Sequence, residues 1–232
     1  MNRMIAVAVV ALGLVGCSKK GPECSSVVAA VNPNTEKVKK ATDNKSEKIE
    51  DTIKSLNDIA AASESAAADL AKLQLTVPEI QKFSTEYVAL CKETAAAARE
   101  MAQALATTEA ASKATDKAAK DGKQAGEKHD KACAAAAEDA DNCKSFNAAL
   151  AKIDLSKADA SESVDAMAKV TFKNEAVKTE GATIVAAFKT HVKAVADSNA
   201  AQTKAESAEK KFKAISTKED ASIDTLNKFC QN

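Results

Sequence analysis

Sulfur and imidazole are the reactive groups whose spacing can be interpreted in this sequence. The cysteines are Cys17, Cys24, Cys91, Cys133, Cys143 and Cys230, and the histidines are His129 and His191. No two cysteines stand in CxxC spacing, so neither a zinc half-site nor a dithiol redox motif is expected. His129 lies in EKHDK, between charges, and reads as part of a solvated helix face. His191 lies in FKTHVKAV, beside an apolar seam, and reads as a half-buried packing residue. Neither has a neighbouring ligand or base partner in the sequence, and a lone histidine of that kind rarely marks a site. HExxH, GxSxG, GxxxxGK[ST] and GxGxxG are absent. No glutamate stands three residues before a histidine to suggest a di-iron bundle. The expectation is a chain that is not an enzyme, with no catalytic residue, no cofactor and no metal site.

The N-terminus carries a different chemistry. Residues 1–16 read MNRMIAVAVVALGLVG, in which one charge, Arg3, precedes an apolar run over 4–15. The run is too short to span a hydrocarbon core of about 30 Å, which needs roughly 20 residues, and it has the layout of a secretory signal. Leu14, Val15, Gly16 and Cys17 close it and resemble the lipobox of bacterial lipoproteins. The resemblance covers residues 1–17. It implies that the Cys17 thiol receives a diacylglycerol and that a peptidase cuts before Cys17. It also implies acylation of the new amino group, with palmitate the kind of chain carried. Several acyl chains, at about 0.8 kcal/mol per buried methylene, anchor a protein stably where one chain is marginal. In enterobacterial members an Asp after the cysteine favours inner-membrane retention. Ser18 at that place therefore implies the outer membrane, with the protein facing the periplasm or the cell surface. Residues 17–23 then form a lipidated tether, polar in SKKGPE, whose Lys19 and Lys20 are either solvated or near anionic lipid.

An exported chain reaches a compartment where disulfides persist. Setting Cys17 aside leaves five cysteines, so one thiol stays free. Cys91 is the candidate free buried thiol, because it follows Phe83, Tyr87 and Leu90 in an apolar helical stretch where cysteine behaves as a small hydrophobe. Cys24, Cys133, Cys143 and Cys230 lie at segment starts and ends and are the disulfide candidates. The favoured pairing joins Cys24 to Cys133 and Cys143 to Cys230. The alternative joins Cys133 to Cys143 and Cys24 to Cys230, and sequence alone leaves both open.

The elements that must position these cysteines are helical. In 232 residues there are 33 basic and 33 acidic side chains, 6 glycines, 3 prolines and no tryptophan, with aromatics at 3%. Sandwiches and barrels need more turns and more β-branched or aromatic strands, and doubly wound sheets need glycine-rich loops. An Ala/Lys/Glu-rich chain with few turn-formers reads as long helices. Zero net charge argues against a nucleic-acid partner.

Shifting the chain by 97 residues places Cys133 on Cys230, Leu70 on Met167, Leu73 on Val170 and Leu75 on Phe172. The expected fold is all-α, an elongated antiparallel helical bundle with coiled-coil-like packing, made of two duplicated hairpins over 24–133 and 143–232 joined by a linker over 134–142. Asn32, Pro33 and Asn34 are expected to end a short first helix, and a long helix to follow over 35–73. Thr76 and Glu79 read as a capping box for a helix that runs to Cys133, with weak points at Gly122 and Gly126. Ser156 and Asp159 read as a further capping pair, and Asn174 as the cap of the last helix.

Those features point to a non-enzymatic, membrane-anchored helical scaffold or protein-binding module of the bacterial envelope, with an envelope protein as partner. The alternative is a periplasmic carrier that binds a hydrophobic ligand between helices, lined by Phe83, Tyr87, Met101 and Phe188.

Overall fold

A computed structural model describes residues 19–43, 46, 48–153 and 160–231. Among them there are six α-helices and no strand. In chain order these are α1 (Lys20–Thr42), α2 (Ile49–Ala71), α3 (Pro78–Ala135), α4 (Ala140–Leu150), α5 (Ala160–Ala168) and α6 (Glu175–Gln231), with one 3-10 turn at Ala137–Asp139 before α4. The all-α bundle is thus as expected. The signal segment, Cys17, Ser18, Ser156 and Asp159 lie outside the described residues.

The chain forms two compact units. The first holds residues up to 106 together with those from 202 onward, and the second holds 107–201. The expected hairpins 24–133 and 143–232 are therefore not the compact units, because α3 and α6 each run unbroken through residues of both.

In the first unit, α1, α2, the start of α3 and the end of α6 make a four-helix bundle. Cys24, Val27 and Val31 at the start of α1 pack with Ala66, Ala67 and Leu70 at the end of α2. Ile80, Phe83 and Tyr87 at the start of α3 join them, as do Ile223 and Leu226 near the end of α6. Helix starts meeting helix ends make successive helices antiparallel. A second cluster sets Leu56, Ile59 and Ala60 against Ala95, Ala98 and Ala102.

The expected break at Pro33 does not occur, and Pro33 lies inside α1. A helical proline removes one donor to the carbonyl four residues back and strains the turn, at roughly 3 kcal/mol. The flanking Val27 and Val31 are buried, and buried Asn34 donates its side-chain amide to the Ala30 carbonyl at 3.3 Å. The break comes later, between Thr42 and Ile49, so the single helix expected over 35–73 is two. Ser46 organises the new start: its hydroxyl donates to Asp51 at 2.6 Å and accepts the Lys48 N–H at 3.2 Å.

Residues 20–23, expected in a free tether, are helical. Gly21 and Pro22 fall in the first turn, where proline lacks only an N–H that had no helical partner. Lys20 Nζ lies 4.4 Å from the centre of the Phe229 ring. Glu23 replaces the expected capping box of Thr76 and Glu79. Its carboxylate accepts the Thr76 N–H at 2.9 Å, the Thr76 hydroxyl at 2.6 Å and the Val77 N–H at 3.0 Å. A cap donated by α1 holds the start of α3 against it. These bonds, the Thr76 hydroxyl first, keep the Glu23 carboxyl below the usual carboxylate range.

Alanine falls on a seven-residue interval along α3, where Ala97, Ala104, Ala111, Ala118 and Ala125 are all buried. Along α6 the same interval links Ala187, Ala194, Ala201 and Ala208, also buried. A seven-residue repeat is the period of supercoiled helix packing, and side chains this small allow close approach. In the second unit a methyl group on Gly122 would lie 3.4 Å from the Ala187 methyl. Neither Gly122 nor Gly126 interrupts α3. A methyl on Gly126 would meet no heavy atom within 4 Å. Gly126→Ala is therefore expected to stabilise the protein by about 0.5–1 kcal/mol through helix propensity. A urea midpoint lower than the parent's would contradict an unbroken helix there.

The second unit sets Phe146 of α4, Val164 and Met167 of α5, Ala125 of α3 and Ile184 of α6 in one core. Buried Asp139 organises its turn. Its oxygens accept the Lys173 N–H at 2.9 and 3.0 Å, the Asn174 N–H at 2.7 Å and the Asn142 amide at 3.2 Å. The Asn174 and Lys173 N–H groups hold its carboxyl below the ordinary value. Asn174 caps α6 as expected, with Oδ1 accepting the Ala176 and Val177 N–H groups at 3.0 and 3.3 Å.

Candidate functional site

The cysteines come together differently from the favoured reading. Cys24 bonds to Cys230 and Cys133 to Cys143. The four candidates are all used, but the pairing of Cys24 with Cys133 and of Cys143 with Cys230 is replaced by the alternative. The reason is the continuity of the long helices. Cys133 ends α3 next to the short turn that leads to Cys143, while Cys230 at the end of α6 returns to the start of α1. One bond closes each unit: Cys24–Cys230 the first, Cys133–Cys143 the second. Cys91 is the free buried thiol, as expected.

In the first unit a partly open cavity of about 60 Å³ lies between its four helices. Tyr87, Cys91 and Thr94 of α3 line it, with Ser216 and Glu219 of α6 and Asn34 of α1. The Thr94 hydroxyl donates to Glu219 at 2.9 Å. Burial raises the Glu219 pKa, and Asp220 beside it raises it further. Burial pushes the Cys91 thiol up to about 12, with the charge of Glu219 adding to the effect. A nucleophilic cysteine needs a cation or a base beside it, and here the neighbouring charge is acidic. Burial in this cavity therefore works against the charged forms of Glu219 and Cys91, and the space is sized for a few water molecules. It does not assemble a nucleophile, a base and an oxyanion site.

Glu219→Gln tests this description. The amide keeps an acceptor for Thr94 and removes a buried charge. Because the folded-state pKa lies above the unfolded one, the folded parent binds a proton at a pH where the unfolded chain has lost it. The penalty is therefore present at neutral pH and fades as pH falls through the raised pKa. The variant is expected to show a higher urea midpoint than the parent at pH 7, with the difference shrinking toward pH 4. A difference independent of pH would contradict the buried-charge account.

A second feature of the first unit is an open groove of about 680 Å³ between α3 and α6. Phe83, Leu90, Leu226 and Phe229 form its apolar floor, and Glu79, Lys82, Glu86 and Lys218 put both signs of charge among the lining side chains. Of the four residues expected to enclose a hydrophobic ligand, Phe83 and Tyr87 stack with ring centres 5.2 Å apart, while Met101 and Phe188 pack in other clusters. Phe83 lines this groove, Tyr87 lines the polar cavity, Met101 packs on the alanine-rich cluster and Phe188 packs in the core of the second unit.

His129 departs from the reading of a solvated face. It is 1% exposed, and its ring lies 4.7 Å from that of Phe146 and 5.5 Å from that of Phe172, centre to centre. Its nitrogens stand 3.6 and 3.7 Å from Cys133 Sγ. Burial lowers its pKa, against the pull of Asp130 and Glu180. The flanking Lys128 and Asp130 are exposed and gave the segment its polar look. A signal was present nonetheless: His129 follows buried Ala125 by one helical turn. His191 is half-buried. Glu219 and Asp139 carry no sequence signal that separates them from the other acids.

Compared with family models, with curated proteins and with solved structures, the chain matches none.

Proposed function

We propose that the chain is a lipid-anchored, non-enzymatic protein of the bacterial envelope that presents a helical binding surface to an envelope partner. Its N-terminal Leu14, Val15, Gly16 and Cys17 supply the anchor, and α1 begins three residues after Cys17. The observation that carries the reading is the use of four cysteines in two disulfides, one per unit. Such bonds persist in an oxidising compartment and not in a reducing cytosol, which agrees with an exported chain. No described helix is long and apolar enough to cross a membrane, so a stable membrane association rests on the acyl chains. The polar cavity, whose Cys91 thiol is pushed up to about 12 and has an acid rather than a cation or base beside it, favours a structural role over catalysis.

The outer membrane is the proposed destination, on the strength of Ser18. Fractionation of cells that express the parent and Cys17→Ser tests the anchor. The parent is expected with the outer membrane and the variant in the soluble periplasm. A variant that stays with the membrane overturns the anchor.

The groove favours a second reading, a carrier of a hydrophobic ligand. Its apolar floor and open mouth suit an elongated apolar molecule or the apolar face of a helix. Saturable binding of a fluorescent fatty acid, lost in Ala89→Glu with Ala221→Glu, which charge two exposed lining positions and leave the core intact, supports the carrier. Capture of one envelope protein by the parent and not by that double variant supports the scaffold.

A further inference from the structure

His129, Cys133 and Cys143 form a cluster in the second unit that the proposed function does not use. His129 and Cys133 are four residues apart on α3, so one helical face presents both. Cys143 comes from α4. Their ligating atoms all lie within 4.8 Å of one another, and both His129 and Cys143 are buried. The His129 nitrogens lie 3.6 and 3.7 Å from Cys133 Sγ. In a metal site with a metal–sulfur bond of about 2.3 Å and a metal–nitrogen bond of about 2.0 Å, the sulfur and nitrogen stand about 3.5–3.8 Å apart. The separation is that of two ligands of one ion, and because both nitrogens are equally near the sulfur, a turn of the ring is what aims one of them at the shared ion.

We infer that reduction of the Cys133–Cys143 bond turns this cluster into a site for a soft monovalent cation, Cu(I), held by two thiolates and the imidazole of His129. The reductant is a dithiol. It transfers two electrons and two protons to the disulfide, which becomes two thiols while the dithiol becomes a disulfide. Binding of Cu(I) then releases the two thiol protons as two sulfur–copper bonds form, and no oxidation state changes in that second step. Two sulfurs and one nitrogen in apolar surroundings select soft cations. Among the described residues no further histidine, cysteine or acid joins the group. The nearby buried Asp139 is engaged by Lys173, Asn174 and Asn142. A three-donor set suits Cu(I) better than Zn(II), which takes four ligands. The Phe146 and Phe172 rings hold the imidazole in place. The disulfide and the metal compete for the same sulfurs, so the site is open to copper only when reduced.

The test uses the full chain, oxidised or reduced by a phosphine, without air. Cu(I) is offered as a coloured chelate, and the loss of colour measures its transfer. The reduced chain is expected to withdraw one equivalent and the oxidised chain none. Cys91→Ala is expected to leave this unchanged, as is replacement of both Cys24 and Cys230 by alanine. His129→Phe, which keeps an aromatic ring in the pocket, is expected to weaken binding at least tenfold, and Cys143→Ser to abolish it. X-ray absorption of the loaded parent is expected to show two sulfurs and one nitrogen, and one nitrogen fewer in His129→Phe. Copper left on the chelate by the reduced chain overturns the inference. So does a His129→Phe variant that binds like the parent with the same absorption spectrum. Loss of hydrogen-exchange protection in α4 and α5 on reduction also overturns it, since the cluster then no longer exists.

Discussion

Replacing Cys24 and Cys230 together by alanine is expected to cost about 5 kcal/mol of stability in the first unit. The bond joins residues 206 apart in sequence, the start of α1 to the end of α6. Cross-linking restricts the unfolded chain more as the closed loop lengthens, and a loop of about 100 residues already gives about 4.7 kcal/mol on that account. The bond between Cys133 and Cys143 closes a loop of only 10 residues, for which the same account gives about 3 kcal/mol. Removing the first pair should therefore lower the urea midpoint more than removing the second. Alanine suits the test because Cys24 is 3% exposed and packs with Val27 and Leu70. Amide hydrogen exchange should show the loss in α1 and the end of α6. The reverse order of effects would contradict a closure role for the Cys24–Cys230 bond.

The first unit depends on that bond because its core is thin. Ala60, Ala66, Ala67, Ala95, Ala98 and Ala102 are all buried, and each buries little area beside a leucine at roughly 25 cal/mol per Å². Surface charge pairs do not make up the difference. Lys211 and Glu100, at 3.0 Å, are both solvent-exposed in their side chains, and such pairs contribute about 0–1 kcal/mol. Arg99 and Glu64 also pair across the surface of this unit.

Phe146→Ala is expected to cost about 3–5 kcal/mol in the second unit, the range for removing a buried aromatic ring. Phe146 is 1% exposed and is the largest side chain on the 11-residue α4. It touches the core of Val164, Met167 and Ile184, and its ring faces both His129 and Phe172. A helix of three turns has little stability of its own, so its docking relies on this ring and on the Cys133–Cys143 bond. Hydrogen exchange in α4 and α5 should rise far more than in α2. The parent's protection pattern in α4, or a cost below about 1 kcal/mol, would contradict the packing described here.

The helical class was readable because composition leaves little else. Few glycines and prolines, abundant alanine and apolar positions at three and four commit the chain to long helices. Cys91 was readable for the same reason, since its apolar neighbours share its helical face. The pairing of the other cysteines was not. It depends on how far α3 and α6 run before they end, and helix length over stretches rich in alanine and lysine is decided by packing. Pro33 misled because propensity is local, whereas the burial of Val27 and Val31 and the Asn34 amide on the Ala30 carbonyl are tertiary. His129 was misread from its charged neighbours Lys128 and Asp130, although the seven-residue series of alanines that reaches Ala125 pointed inward at that place. Glu23 could not be recognised as the cap of α3, because the bond spans more than 50 residues of chain.

The most direct measurement is mass spectrometry of the membrane-extracted protein, intact and after non-reducing digestion. The account predicts a chain that starts at Cys17 and carries a diacylglyceryl group with a further acyl chain. It also predicts cross-linked peptides that join Cys24 to Cys230 and Cys133 to Cys143, with Cys91 as a free thiol. A chain that begins at Met1, an unmodified Cys17, or peptides that join Cys24 to Cys133 would contradict it.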